Sequence, residues 1–186
     1  MGFVNKNSFL FFVVKFLFLF AIFYFGTIFF IGLAAPGGFY SSFFSHYFDY
    51  VSWLKISYLK GASIIASLFG YSTIEEPGYL IRVIHARGII IAYDCVGFGV
   101  MSFWAAYVLA ASIKFSMKLK WLLGGLFLLW TINTLRIGLF LVAINKNWPM
   151  PFNIDHHTWF NIFAYGIIFI MMLLFNYAPE SKSKQQ

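Results

Sequence analysis

Charge is scarce in this chain. Of its 186 residues only 10% are Asp, Glu, Lys or Arg, against 61% hydrophobic and 23% aromatic, a balance that excludes an ordinary soluble domain and a disordered one. Cysteine occurs once, as Cys95, so no internal disulfide can form and pairing says nothing about redox compartment. Proline occurs five times, which leaves long stretches without a helix breaker. Acidic residues number 6 against 13 basic ones, for a formal charge of +7. In a soluble protein that excess would suggest nucleic acid. Here the basic residues gather mostly at the ends of apolar runs, where they orient membrane helices, and no nucleic-acid partner is expected.

Four apolar runs, Phe9 to Leu33, Val96 to Ile113, Trp121 to Ile144 and Thr158 to Tyr177, reach the length of about 18 residues needed to cross a bilayer as helices. The first is too long for the core of a cleavable signal, which runs about 7–15 residues, and reads as a retained anchor. Lys6, the group Lys114, Lys118 and Lys120, and Lys182 with Lys184 mark the cytoplasmic ends. Asp49, Glu75, Glu76, Asp94 and Asp155 then fall on the outer side. The expected fold is an all-α integral membrane protein of the cytoplasmic or inner membrane, a polytopic helical bundle with about four transmembrane helices. One domain is expected over residues 1–180, followed by a disordered polar tail at 181–186.

Two outer segments carry more information. Tyr50 to Gly70 contains Lys55 and Lys60, and a full crossing there would reverse the sides of the later loops, so an interfacial or re-entrant helix is expected. Tyr79 to Ile84 and Ile89 to Tyr93, around His85-Ala86-Arg87-Gly88, form two β-rich runs that predict a short hairpin before Cys95. An open hairpin has unsatisfied edge amides, which keeps it out of lipid.

Counting about 1.5 Å of rise per residue from the cytoplasmic ends puts Cys95 some 28 Å above Lys114, Arg136 about 24 Å above Lys120 and His157 about 30 Å above Tyr177. Three helices thus bring polar groups to one level. An arginine inside an apolar span needs a partner, water or a function, and Asn133 shares its helical face. Cys95 is read at a helix amino terminus, where unpaired amides and the positive dipole end favour thiolate, and Gly97 permits close backbone approach there. A histidine beside it would complete a nucleophile and base, with the arginine stabilising an oxyanion. His156 and His157 are adjacent, so on a helix they diverge by about 100° and one of them faces Cys95. Asp155, the two histidines and Cys95 match no zinc motif, so no metal is expected. His85 and Arg87 are ordinary residues for an exposed turn.

The order Asp94-Cys95-Val96-Gly97, then Asn133-Thr134-Leu135-Arg136-Ile137, then His157-Thr158-Trp159-Phe160-Asn161 resembles the exosortase and archaeosortase family, and the size resembles the short exosortase F type. The resemblance covers roughly residues 60 to 177, and the first third matches only in hydrophobicity. It implies a membrane-embedded cysteine protease and transpeptidase without cofactor, with Cys95 as nucleophile, Arg136 as oxyanion stabiliser or proton donor and His157 as general base, His156 being the alternative. Asn133, Asp94 and Gly97 would support them. It also implies partners: carboxy-terminal sorting segments of exported proteins, consisting of a motif, a transmembrane helix and a basic cluster, and a cell-envelope lipid or glycan acceptor. Where the family carries serine after the cysteine, this chain has Val96. Two other readings compete. One is a non-enzymatic scaffold or transporter component in which Arg136 sits in a structural ion pair. The other is a lipid- or glycan-modifying enzyme, which would not need Cys95.

Overall fold

The computed structural model describes residues 6–34, 41–148 and 156–177. The described chain is mostly helical: α1 Lys6–Ala34, α2 Ser42–Tyr47, α3 Tyr50–Leu68, α4 Phe98–Ala110, α5 Phe115–Lys146 and α6 His156–Tyr177. Between α3 and α4 lie β1 Thr73–Glu76, β2 Leu80–Val83 and β3 Gly88–Ile90, then a 3-10 turn over Tyr93–Val96. The tail read as disordered, residues 181–186, and Asp155 lie outside the described residues.

Aromatic side chains set the helix order. Phe12 meets Tyr107 edge-on, Phe16 meets Phe103, and Tyr24 meets Phe98, so α1 and α4 run antiparallel. Trp104 Nε1 donates to the Trp121 carbonyl at 3.0 Å, while Asn133, farther along α5, donates to the Val96 carbonyl just before α4, so α4 also runs antiparallel to α5. Phe175 closes that end on Trp104, Tyr107 and Trp121, which aligns α6 with α4. This first core cluster lies at the lysine-rich end of the bundle. There Lys118 Nζ donates to the Leu109 carbonyl near the end of α4 at 3.0 Å, using a cation where carbonyls are left without partners.

The second cluster joins α3, α5 and the sheet through Tyr58, Ile81, Ile91, Val96 and Leu141, all at most 1% exposed. Asp49 caps α3 by accepting from the Ser52 N–H at 3.0 Å, which satisfies one of the free amides of a helix start. Trp130 Nε1 donates to Ser57 Oγ at 2.9 Å. One turn on, a Cβ at Gly61 would overlap Thr134 Cγ2, and one turn further a Cβ at Gly138 would come 2.6 Å from Ile65 Cβ. The matching steps of four residues show that α3 and α5 run parallel, brought close by small residues. The segment therefore does not lie across the end of the bundle as an interfacial helix would. Tyr50 Oη donates to Thr27 Oγ1 at 2.7 Å, so α3 starts beside a residue seven positions before the end of α1 and rises along α5.

Two expectations need correction. The hairpin is two-thirds of a three-stranded antiparallel sheet in the order β1-β2-β3, with Glu75 opposite Ile81 and Ile81 opposite Ile89. The run Val96 to Ile113 becomes a helix of only 13 residues, about 20 Å long by its rise per residue, because Gly97 at φ +74 interrupts it at one end and Ala111 turns extended at the other. Among the described residues two helices are long and apolar enough to cross a membrane, Ser8–Ala34 and Phe115–Lys146, with shorter apolar helices at Phe98–Ala110 and Ile162–Tyr177.

Candidate active site

The sheet delivers Cys95 to the middle of α5. Ile91 N–H donates to the Tyr79 carbonyl at 2.9 Å and ends the β2–β3 ladder, after which Cys95 N–H donates to the Ala92 carbonyl at 3.1 Å and closes the 3-10 turn. Gly97 follows in the left-handed region at φ +74, a conformation that glycine adopts without the penalty other residues incur. Cys95 is therefore not in the first turn of α4. It precedes the helix's Gly97 cap by two residues, and it is half-buried.

Three side chains hold this turn from outside. Asn133, 1% exposed, donates through Nδ2 to the Cys95 carbonyl at 2.8 Å and to the Val96 carbonyl at 3.2 Å. Tyr58 Oη donates to the Val96 carbonyl at 3.0 Å. Arg136 Nη2 donates to the Cys95 carbonyl at 3.1 Å. Asn133 Oδ1 is buried without a hydrogen-bond partner among the described residues, unusual for a group so far from water.

A pocket of about 200 Å³ opens at this junction. Ile89 to Ala92, Asp94 and Cys95 form one wall, and Arg136, Ile137 and Phe140 of α5 form the other. The expected cluster is thus assembled in large part: Cys95, Asp94 and Arg136 line one cavity, and Asn133 and Gly97 fix the loop behind it. The side chains of His156 and His157 lie outside the described residues. The backbone starts α6 at His156, and Ala164 lines a small cavity with Gly97 and Asn133, so position 157 stands about 10 Å farther up the same helix.

Sequence reasoning missed two contributors. Tyr58 is fully buried and stacked on Trp130, whereas its segment was expected only as an interfacial or re-entrant helix with no site residue on it. Lys55, 3% exposed, holds its Nζ 3.4 Å from the Tyr93 ring centre and 4.6 Å from that of Tyr79, a cation–π arrangement on the segment leading to Cys95. Burial pushes the Tyr93 phenol above its ordinary value, with Asp49 and Tyr79 adding to the effect. The spacing Lys55-x-x-Tyr58 on one helical face was the available signal. Arg87, by contrast, serves the fold: its Nη1 donates to the Ile144 carbonyl and to Asn147 Oδ1, both at 3.1 Å, tying the hairpin tip to the end of α5.

Comparison of the chain with protein-family models, with curated proteins and with solved structures finds no match in any of the three. The functional reading therefore rests on the residues and their geometry.

Proposed function

We propose that the chain is a multi-pass membrane cysteine peptidase or transpeptidase of exosortase-like type, with Cys95 as nucleophile at the outer face. The observation that carries the reading is the Arg136 guanidinium bonded to the Cys95 carbonyl at 3.1 Å at the wall of a shared pocket. A half-buried arginine on an apolar helix is costly to maintain for packing alone.

The membrane part rests on exposed aromatic and aliphatic surface. Phe11, Phe18, Phe25 and Phe29 of α1, Phe127 of α5 and Phe163 and Phe169 of α6 are each more than 60% exposed, a belt that water would not tolerate on a monomer and that hydrocarbon would. The aromatic contacts of α1 along α4 support a retained anchor. The short α4 has no exposed residue and is covered by neighbouring helices, which allows irregular backbone at membrane depth.

In the proposed reaction His157, or His156, takes the Cys95 thiol proton, and the thiolate attacks the carbonyl carbon of a sorting segment. Arg136 stabilises the resulting oxyanion. Collapse breaks the C–N bond, the histidine returns the proton to the departing amine, and a thioester to Cys95 remains. An amine or hydroxyl of a cell-envelope acceptor, or water, attacks that thioester and regenerates the thiol. Co-expression of the Cys95→Ala variant with exported proteins that end in a motif, an apolar helix and a basic cluster tests the reading. Accumulation of full-length, membrane-held substrate is expected, and unchanged processing would overturn it.

A further inference from the structure

The edge of β3 borders the same pocket, and its backbone is oriented to bind a chain. Val83 N–H donates to the Arg87 carbonyl at 3.2 Å and Ile91 N–H to the Tyr79 carbonyl at 2.9 Å, and Ile81 stands opposite Ile89 between them. Ile89 and Ile91 therefore turn their peptide groups toward β2, while the Arg87 N–H donates to Asn145 Oδ1 of α5 at 2.9 Å. The alternation of an antiparallel ladder turns the Gly88 peptide groups and the Ile90 N–H outward, the Ile90 carbonyl accepting from the Ala92 N–H at 3.2 Å. Among the described residues no strand pairs with that outer edge. The Ile90 side chain is 65% exposed, and Ile89, Ile90 and Ile91 continue directly into the wall that ends at Cys95. Edge amides left unpaired invite a further strand.

We infer that the polypeptide cut at Cys95 docks as a fourth strand on β3, so that backbone pairing at Gly88 and Ile90 aligns the segment before the scissile bond. This rests on the proposed peptidase reading and names its substrate-binding mode. The occupant is an extended peptide, because the outward groups are backbone donors and acceptors rather than charged side chains, and because the edge leads into the nucleophile's pocket. Its direction follows from the bundle. A substrate anchored by a following helix runs from the sheet end toward the lysine-rich end, the sense in which β3 leads to α4, so the new strand is parallel. In that register Gly88 N–H donates to the carbonyl of one substrate residue. The Gly88 carbonyl accepts the N–H of the residue two positions on, and Ile90 N–H donates to that residue's carbonyl.

The test uses the full chain in detergent with acetyl-hexaalanyl chloromethyl ketone, whose methylene carbon is attacked by the thiolate with loss of chloride to leave a thioether on Cys95. Chloroacetamide, which has no peptide to dock, is the reference reagent, and labelling rates at Cys95 are read by mass spectrometry. N-methylation of the six residues in turn is expected to slow labelling of the unaltered protein about three- to tenfold at the paired position, with its immediate neighbours little affected. Ile90→Pro removes an N–H that the β2 ladder does not use. It is expected to lose the same factor toward the peptide reagent while keeping the chloroacetamide rate. A uniform response along the N-methyl series, or an Ile90→Pro variant indistinguishable from the parent, would overturn strand docking while leaving Cys95 a nucleophile. The N-methyl series needs no variant and stands even where Ile90→Pro folds poorly. Failure of both reagents to label Cys95 would overturn the peptidase reading and the docking with it.

Discussion

Replacing Asn133 with leucine should separate folding from activity. The Asn133 amide donates to the carbonyls of Cys95 and Val96, and its loss removes two hydrogen bonds, about 1 kcal/mol each. Neither carbonyl is orphaned, because Arg136 still donates to Cys95 and Tyr58 to Val96. Against that loss stands Asn133 Oδ1, buried with no partner among the described residues, whose removal recovers about 1–3 kcal/mol of desolvation. Leucine is close in volume, so with the loss and the gain nearly offsetting, the net change is expected within about 1 kcal/mol. For a chain of this length that corresponds to a melting shift of about 2–4 °C. The Cys95 carbonyl, however, loses its shortest hydrogen bond. A displacement near 1 Å at a reacting centre costs about a hundredfold, so substrate processing should fall at least tenfold in a protein that melts almost normally. Thermal unfolding in detergent, read beside processing in membranes, checks both halves. A variant that melts far below the parent, or one that processes substrate at the parent rate, would refute the assignment of Asn133 as the residue that positions Cys95.

Other substitutions probe the neighbouring groups. Arg136→Lys keeps the charge but not the planar fork; both it and Arg136→Gln should lower processing about a hundredfold or more, as measured by release of a sorting-segment reporter, with the glutamine variant the lower of the two. Tyr58→Phe removes one of two donors to the Val96 carbonyl and should destabilise the fold by about 1 kcal/mol in the same melting assay. Alanine at His157 should abolish processing while alanine at His156 leaves most of it, and the reverse pattern would assign the base to His156.

Much of this arrangement was legible because helical rise converts sequence position into depth. Cys95 and Arg136 were expected at one level from counting alone, and they meet at the Cys95 carbonyl. The pair β2 and β3 was legible from β-branched runs around Gly88. β1 was not, because in Thr73-Ile74-Glu75-Glu76 two β-branched residues are followed by two glutamates, without alternation. It forms by pairing with β2 and by the Ser63–Thr73 hydroxyl contact at 2.7 Å, both tertiary effects. For α3 the interfacial and re-entrant alternatives were left open because Lys55 and Lys60 interrupt its hydrophobicity, and its packing along α5 opposes only the interfacial one. Lys60 is exposed, whereas Lys55 is covered by two tyrosine rings that no local pattern announces. The left-handed Gly97 was visible as a glycine but not as a break between Cys95 and α4, since backbone sign at a glycine is set by what packs around it.

The proposed chemistry at Cys95 requires a covalent bond to its substrate. Intact protein purified from cells that also express a sorting-segment substrate should carry on its Cys95 peptide an acyl adduct matching the chain before the cut. That adduct should be released by neutral hydroxylamine as a thioester is, and it should be absent from Cys95→Ala. Processed substrate recovered in quantity from a Cys95→Ala strain, with no hydroxylamine-sensitive adduct on the parent protein, would contradict the account.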